Sequence, residues 1–200
     1  MATSKSNNYD KYTSKNPLAQ IINNRFLDTL AQLAAGIKPQ KIFDAGCGEG
    51  FVVKRLNGSV KAQITGLDLE DSALEYAKKI NPGIDFHQGS VYELPFKDNE
   101  FDLVVLTEVL EHLDEPEKAL KEITRVSSKY CLVSVPKEPV WRMANMARFR
   151  YLGGLGNTPG HINHWSKKAF LNLIKPYLNI KEIKTPFPWT VVLGEIRIKS

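Results

Sequence analysis

The stretch Lys41-Ile42-Phe43-Asp44-Ala45-Gly46-Cys47-Gly48-Glu49-Gly50 decides the fold. An apolar run reaches a carboxylate, turns through three glycines, and passes at Phe51-Val52-Val53 into a helical pattern. Glycine admits left-handed backbone and lets main chain approach a ligand closely, so the stretch predicts a strand, a tight loop and a helix. A second apolar run, Gln63 to Asp68, ends on another acid after room for one helix. An acid in that place accepts both hydroxyls of a ribose.

Outward from this stretch, short apolar runs alternate with helical patterns, the signature of a parallel sheet covered by helices on both faces. Further strands are expected at Ile84–Gln88, Phe101–Leu106 and Tyr130–Val135, and helices at Phe51–Asn57, Ser72–Ile80 and Pro116–Val126. Ser72 and Asp114 or Glu115 are the expected helix starts, because short polar side chains accept from the free amides of a first turn. Upstream, Leu18, Ile21, Ile22, Phe26, Leu30 and Leu33 recur at helical spacing from Pro17 to about Gly36. The tail offers a helix at Lys167–Tyr177 and two strands, Ile180–Lys184 and Val191–Ile198, whose short link forces an antiparallel pair. Residues 1 to 16 are polar and read as a flexible arm with Tyr9 and Tyr12 as its large anchors.

The loop chemistry separates two cofactor classes. A dinucleotide site wants Gly-x-Gly-x-x-Gly/Ala to seat a pyrophosphate, but Phe51 occupies the last position. Asp44 and Glu49 would repel a pyrophosphate, whereas they suit a ligand carrying an ammonium and a sulfonium. Charge therefore favours S-adenosylmethionine. From Lys41 onward the chain resembles the class I S-adenosylmethionine-dependent methyltransferases, particularly their small-molecule, quinone-methyltransferase-like branch. That resemblance implies a doubly wound, Rossmann-like α/β fold with a seven-stranded, mostly parallel sheet and an antiparallel C-terminal strand. It also implies that Asp44, Ala45, Gly46, Cys47, Gly48 and Gly50 hold the methionine portion and Asp68 the ribose. Leu69 would pack on adenine, Ser90 and Val91 would reach its edge, and Glu108 would border the cofactor. Many relatives have Asp where this chain has Ser90, although a hydroxyl still accepts from an amino group.

Methyl transfer aligns donor with acceptor and excludes water, and it needs a base only where the acceptor must lose a proton. His112, at the carboxyl edge of the fourth strand, and His161 and His164, just before the late helix, are the candidates. Glu108, Glu111 and His112 have the spacing that shares one face of a helical turn. In this the chain resembles small-RNA 2′-O-methyltransferases and some quinone O-methyltransferases, which bind a divalent metal there; His161 or His164 would complete the set. Metal-free relatives carry the same string, so the resemblance admits a metal without requiring one. Metal-assisted RNA methylation, and a non-catalytic S-adenosylmethionine-binding domain, are therefore the alternatives to a methyltransferase for a small or lipid-linked metabolite.

The segment Val135–Trp165 is longer than an average connector and is expected to cover the acceptor pocket. Within it, Val140, Met143, Ala144, Ala147 and Tyr151 share a helical face, with Arg142, Arg148 and Arg150 elsewhere as solvated charges or an anion clamp. The 200 residues are 42% hydrophobic and 24% charged, composition for one packed domain. No apolar run reaches the roughly 18 residues of a membrane span, and with Cys47 and Cys131 lacking metal-type spacing the expected location is the cytoplasm. Residues 137–200 carry 11 Lys/Arg against 3 Asp/Glu, a bias that suits an anionic substrate, a nucleic acid or an acidic membrane surface.

Overall fold

A computed structural model describes residues 7–147 and 152–197. Its sheet has seven strands: β1 (Lys41–Ala45), β2 (Gln63–Asp68), β3 (Asp85–Gln88), β4 (Phe101–Thr107), β5 (Ser127–Pro136), β6 (Leu178–Lys184) and β7 (Trp189–Ile196). They lie in the order β3-β2-β1-β4-β5-β7-β6. The first five pair in parallel, and β7 runs antiparallel to both β5 and β6. The chain starts in the middle of the sheet, winds out through β3, and returns to β4. The switch between β1 and β4 therefore opens a crevice at the carboxyl ends of these strands, where open α/β sheets bind ligands.

Period-two alternation builds a core on each face of the sheet. Ile42, Ile64, Leu103 and Val105 point to one side, where α2 (Pro17–Ile37), α3 (Phe51–Asn57) and α4 (Asp71–Ile80) supply Phe26, Leu30, Val53, Leu56, Leu74 and Ala77. Phe43, Leu67, Val104 and Leu106 point to the other, against Ala119, Leu120, Ile123 and Val126 of α5 (Pro116–Val126) and Phe170 and Ile174 of α7 (Lys167–Ile174).

Several boundaries differ from the sequence expectation for local reasons. Helix α2 passes through Gly36 and stops at Lys38, which takes the left-handed conformation and donates its N–H to Ala35. Asn16 caps its start, its side chain accepting from the amides of Leu18 and Ala19. Ser72 lies inside α4, which begins at Asp71 with no side-chain cap, and α5 likewise starts without one after Glu115. Helix α7 ends at Ile174 rather than Tyr177. Residues Asn7–Tyr12 of the expected flexible arm form a short helix, α1. In α6 (Val140–Ala147) the anticipated apolar face does not form the buried side: Met143 is 64% exposed, and the buried side chain is Asn145. It donates to the Gly156 carbonyl and the Thr158 hydroxyl, so hydrogen bonding seats this helix together with Trp141, which packs against the core. Arg148, Arg150, Tyr151 and Ile198 lie outside the described residues. Among the described residues no helix is long and apolar enough to cross a membrane.

Two glycines make opposite predictions. A Cβ on Gly36 meets nothing within 4 Å. Gly36→Ala should therefore raise the unfolding free energy by about 0.5–1 kcal/mol, through helix propensity and a less flexible unfolded chain. A Cβ on Gly66 would lie 2.6 Å from Phe86 and 2.9 Å from Cys47. Gly66→Ala should lower it by about 1–3 kcal/mol. Urea titration of both variants checks the pair.

Candidate active site

The loop after β1 owes its shape to positive φ at Gly46 (73°), Gly48 (51°) and Gly50 (76°). At Gly46 a Cβ would also sit 2.5 Å from Val109, so the loop packs directly under the segment that follows β4. The loop is tied to the neighbouring strand, because the amides of Gly46 and Cys47 both donate to the Leu67 carbonyl, at 2.7 and 2.9 Å. Asp68 completes the tie: one carboxylate oxygen accepts from the Gly48 amide at 2.7 Å, the other from the Glu70 amide at 3.0 Å. Each oxygen keeps a lone pair for a further donor.

Asp44 closes the bottom of the crevice. It is 1% exposed, and neither of its carboxylate oxygens has a hydrogen-bond partner. Burial, and secondarily the Asp68 carboxylate, push its pKa up to about 7. A buried acid left without a donor is costly unless something cationic meets it, and this fits an ammonium-bearing ligand. Around it a small cavity of about 20 Å³ is lined by Tyr12, Gly46, Cys47, Glu49, Phe51, Val52, Thr107 and Glu108. The Cys47 thiol is buried and its pKa displaced far upward by that burial, so Cys47 acts as loop packing and not as a nucleophile. Ala45 is buried at the end of β1 and Val91 in the core beside Leu67, while Leu69 is 68% exposed at the tip of β2. The Ser90 hydroxyl accepts from the Tyr92 amide at 3.2 Å, a local turn.

The chain after β4 separates the three residues expected to share one helical face. Glu108 adopts φ 57°, and only Leu110–His112 forms a turn, of the tighter 3-10 kind. Glu108 consequently points toward α1 and β7. It accepts from the Trp189 indole N–H at 2.7 Å and the Tyr12 hydroxyl at 3.1 Å, and it pairs with the Lys11 ammonium. Glu111 is 1% exposed and has no side-chain partner, and burial, then Glu108, raise its pKa well above the carboxylate range.

His161 comes to Glu111 and His112 from 49 residues away. The amides of Ile162 and Asn163 donate to the Glu111 carbonyl, and the Asn163 side chain donates to the Leu113 carbonyl at 2.6 Å, which docks the loop on the turn. The two imidazoles meet edge to face at 4.8 Å. His112 Nδ1 lies 2.9 Å from the Gly160 carbonyl, which only accepts, so Nδ1 carries the proton and Nε2 is free. His161 is driven to a pKa of about 4 by burial and then by His112, so it is neutral at physiological pH. Glu111, His112 and His161 offer ligand atoms within 4.8 Å of one another. Glu108 stands outside that group, and so does the exposed His164.

Three contributors escaped the sequence reading. Lys11 and Trp189 meet Glu108 from opposite ends of the chain, with no local spacing to announce them. Phe51, marked in the sequence only as a departure from the dinucleotide pattern, stacks on Tyr12 at 4.9 Å and closes the cavity.

The elevated Asp44 pKa has a stability consequence. Its folded value, about 7, lies above the ordinary 3.8. Its stabilising contribution is thus complete below pH ~4 and is lost as pH rises through about 7, because the unfolded chain ionises first. Relative to Asp44→Asn, the wild-type chain should lose stability across this window, as followed by urea midpoints from pH 4 to 8.

The model of the methyltransferase domain family matches residues 43–131, from β1 into β5. The chain is 32% identical over 110 residues to a ubiquinone biosynthesis O-methyltransferase of Alkalilimnicola ehrlichii, covering 52% of this chain and 44% of that protein. It is 32% identical over 118 residues to a demethylmenaquinone methyltransferase of Renibacterium salmoninarum, covering 58% and 49%. The chain thus spans about half the length of these curated relatives. Its fold matches that of magnesium protoporphyrin IX methyltransferase from Synechocystis, solved with S-adenosylhomocysteine bound, with a TM-score of 0.69 and 16% identity over 96% of this chain and 95% of the other. The glycine loop, both acidic strand tips and the segment after β4 all lie within the matched residues 43–131, and this part of the chain is similar to the class I S-adenosylmethionine-dependent methyltransferases.

Proposed function

We propose that this chain transfers a methyl group from S-adenosylmethionine to a nucleophilic oxygen, nitrogen or carbon of a small or lipid-linked metabolite. The observation that carries the reading is the buried, unpartnered Asp44 carboxylate under a positive-φ glycine loop, with Asp68 at the next strand tip. When bound, the cofactor supplies an electrophilic methyl on a sulfonium. Asp44 and the loop Ala45–Gly50 hold its methionine end, Asp68 its ribose, Leu69, Ser90 and Val91 its adenine, and Glu108 borders the cavity.

The chain's own groups do the rest. Phe51 and Tyr12, half-buried and stacked on one another, restrict water at the cavity. His112 Nε2, free because Nδ1 is held by Gly160, takes the proton of an acceptor that must lose one. His161, kept neutral, and the exposed His164 border the same approach. A second reading rests on the proximity of Glu111, His112 and His161: one carboxylate and two imidazoles suit a divalent transition metal that would orient the acceptor.

Asp68→Ala should weaken S-adenosylmethionine binding by about tenfold or more in calorimetry, since a charged hydrogen-bond partner is lost; unchanged affinity would remove the cofactor assignment. His112→Ala should leave that affinity intact and lower methyl transfer by about 10²–10⁴-fold. Enzyme stripped with chelator that keeps full activity would eliminate the metal reading.

A further inference from the structure

Lys11 has a surrounding that an arm anchor does not require. Its ammonium pairs with Glu108 and lies 4.5 Å from the ring centre of Tyr12, 4.6 Å from that of Trp189 and 5.4 Å from that of Phe26. A carboxylate flanked by aromatic faces is the arrangement that recognises an alkylammonium, because the ring faces are negative and the carboxylate supplies the counter-charge. A leucine would hold the arm in place without the cost of taking a charge out of water.

The two halves of this cage differ in origin. Phe26 and Trp189 stack at 4.5 Å, are at most 2% exposed, and belong to α2 and β7, in the fixed core. The indole N–H of Trp189 orients Glu108 from that same core. Lys11 and Tyr12 arrive on the six-residue helix α1, which rejoins α2 through residues 13–16, three of them exposed. The receptor is thus part of the scaffold, and its occupant is carried on a short appendage. Glu108 also lines the cavity beside Asp44, and its φ of 57° is an uncommon conformation for a residue with a side chain.

We infer that Glu108, Trp189 and Phe26 form an acceptor subsite for the ammonium of an alkylamine, and that Lys11 is its built-in occupant, displaced when the acceptor binds. The inference rests on the methyl-transfer reading above and narrows its acceptor to an amine. In the step it implies, Glu108 takes one proton from the ammonium. The nitrogen lone pair then forms the N–C bond to the methyl carbon as the C–S bond breaks. Its electron pair stays on sulfur, and the product leaves as a methylated ammonium while Glu108 returns its proton to solvent.

The probe is n-butylammonium, with butanol and butyrate as neutral and anionic controls, titrated into the full chain and followed by the Trp189 indole N–H resonance. Lys11→Ala should bind butylammonium at least about tenfold more tightly than the wild-type chain does and than it binds butanol. Glu108→Gln in that background should abolish the preference. A variant lacking residues 1–13, which keeps the Asn16 cap of α2, should behave as Lys11→Ala does and covers the case in which the point variant misfolds. In the wild-type chain butylammonium, and not butyrate, should speed chymotryptic cleavage after Tyr12 by releasing the arm. With S-adenosylmethionine present, Lys11→Ala should give butylamine the mass of one added methyl group. Equal binding of butylammonium and butanol overturns the subsite, and binding without methylation by a donor-loaded chain overturns the amine as acceptor. Ammonium preference in a chain that does not bind S-adenosylmethionine would overturn the methyl-transfer reading and leave the subsite standing.

Discussion

A carboxylate buried without a partner at the centre of a parallel sheet is the constraint around which this protein is arranged. Asp44 sits at the end of β1, between β2 and β4, where main-chain hydrogen bonding is already committed to the ladders. Desolvation penalises its charge, and the Asp68 carboxylate on the next tip adds to the penalty. A cation placed beside it would offset both penalties, which is the chemistry the proposed cofactor brings. The glycine loop follows directly, its positive φ at Gly46, Gly48 and Gly50 giving a turn that residues with side chains rarely adopt.

The surroundings extend this logic outward. The order of strands reverses between β1 and β4, so the loop after β1 and the segment after β4 face each other across the crevice. From the β4 side come two further acids, Glu108 half-buried and Glu111 buried, with contrasting fates. Glu108 is satisfied by an ammonium, a phenol and an indole, whereas Glu111 is left without a side-chain partner and carries its pKa upward. The crevice is thus strongly acidic despite a chain that is net positive, and the basic excess lies in residues 137–200. A donor bearing an ammonium and a sulfonium, and an acceptor bearing an ammonium, both match that field.

Much of this was legible in the chain before folding. Strand β2 and helices α3 and α5 fall where apolar alternation, three glycines and Pro116 put them, because those signals act over a few residues. Helix α1 was not legible, since six polar residues lack any period of their own and are held by contacts with Phe51, Tyr76 and Glu108. Gly36 misled as a stop because it stands one residue before the true end of a 21-residue helix, which its propensity cost does not interrupt. The string Glu108–His112 misled differently: its spacing suits one helical face, but Glu108 takes a left-handed conformation and only the last three residues turn.

Composition and spacing by themselves determined the sheet's class, the glycine loop, the acidic strand tips and the exclusion of a pyrophosphate by charge. Those are properties of contiguous residues, and local sterics and electrostatics suffice to express them. Tertiary structure alone decided that Glu108, Phe26 and Trp189 converge on Lys11, and that His161 joins Glu111 and His112 while His164 does not. Such meetings depend on strand order and on where loops dock, and no spacing within the chain encodes distances between segments that only packing brings together.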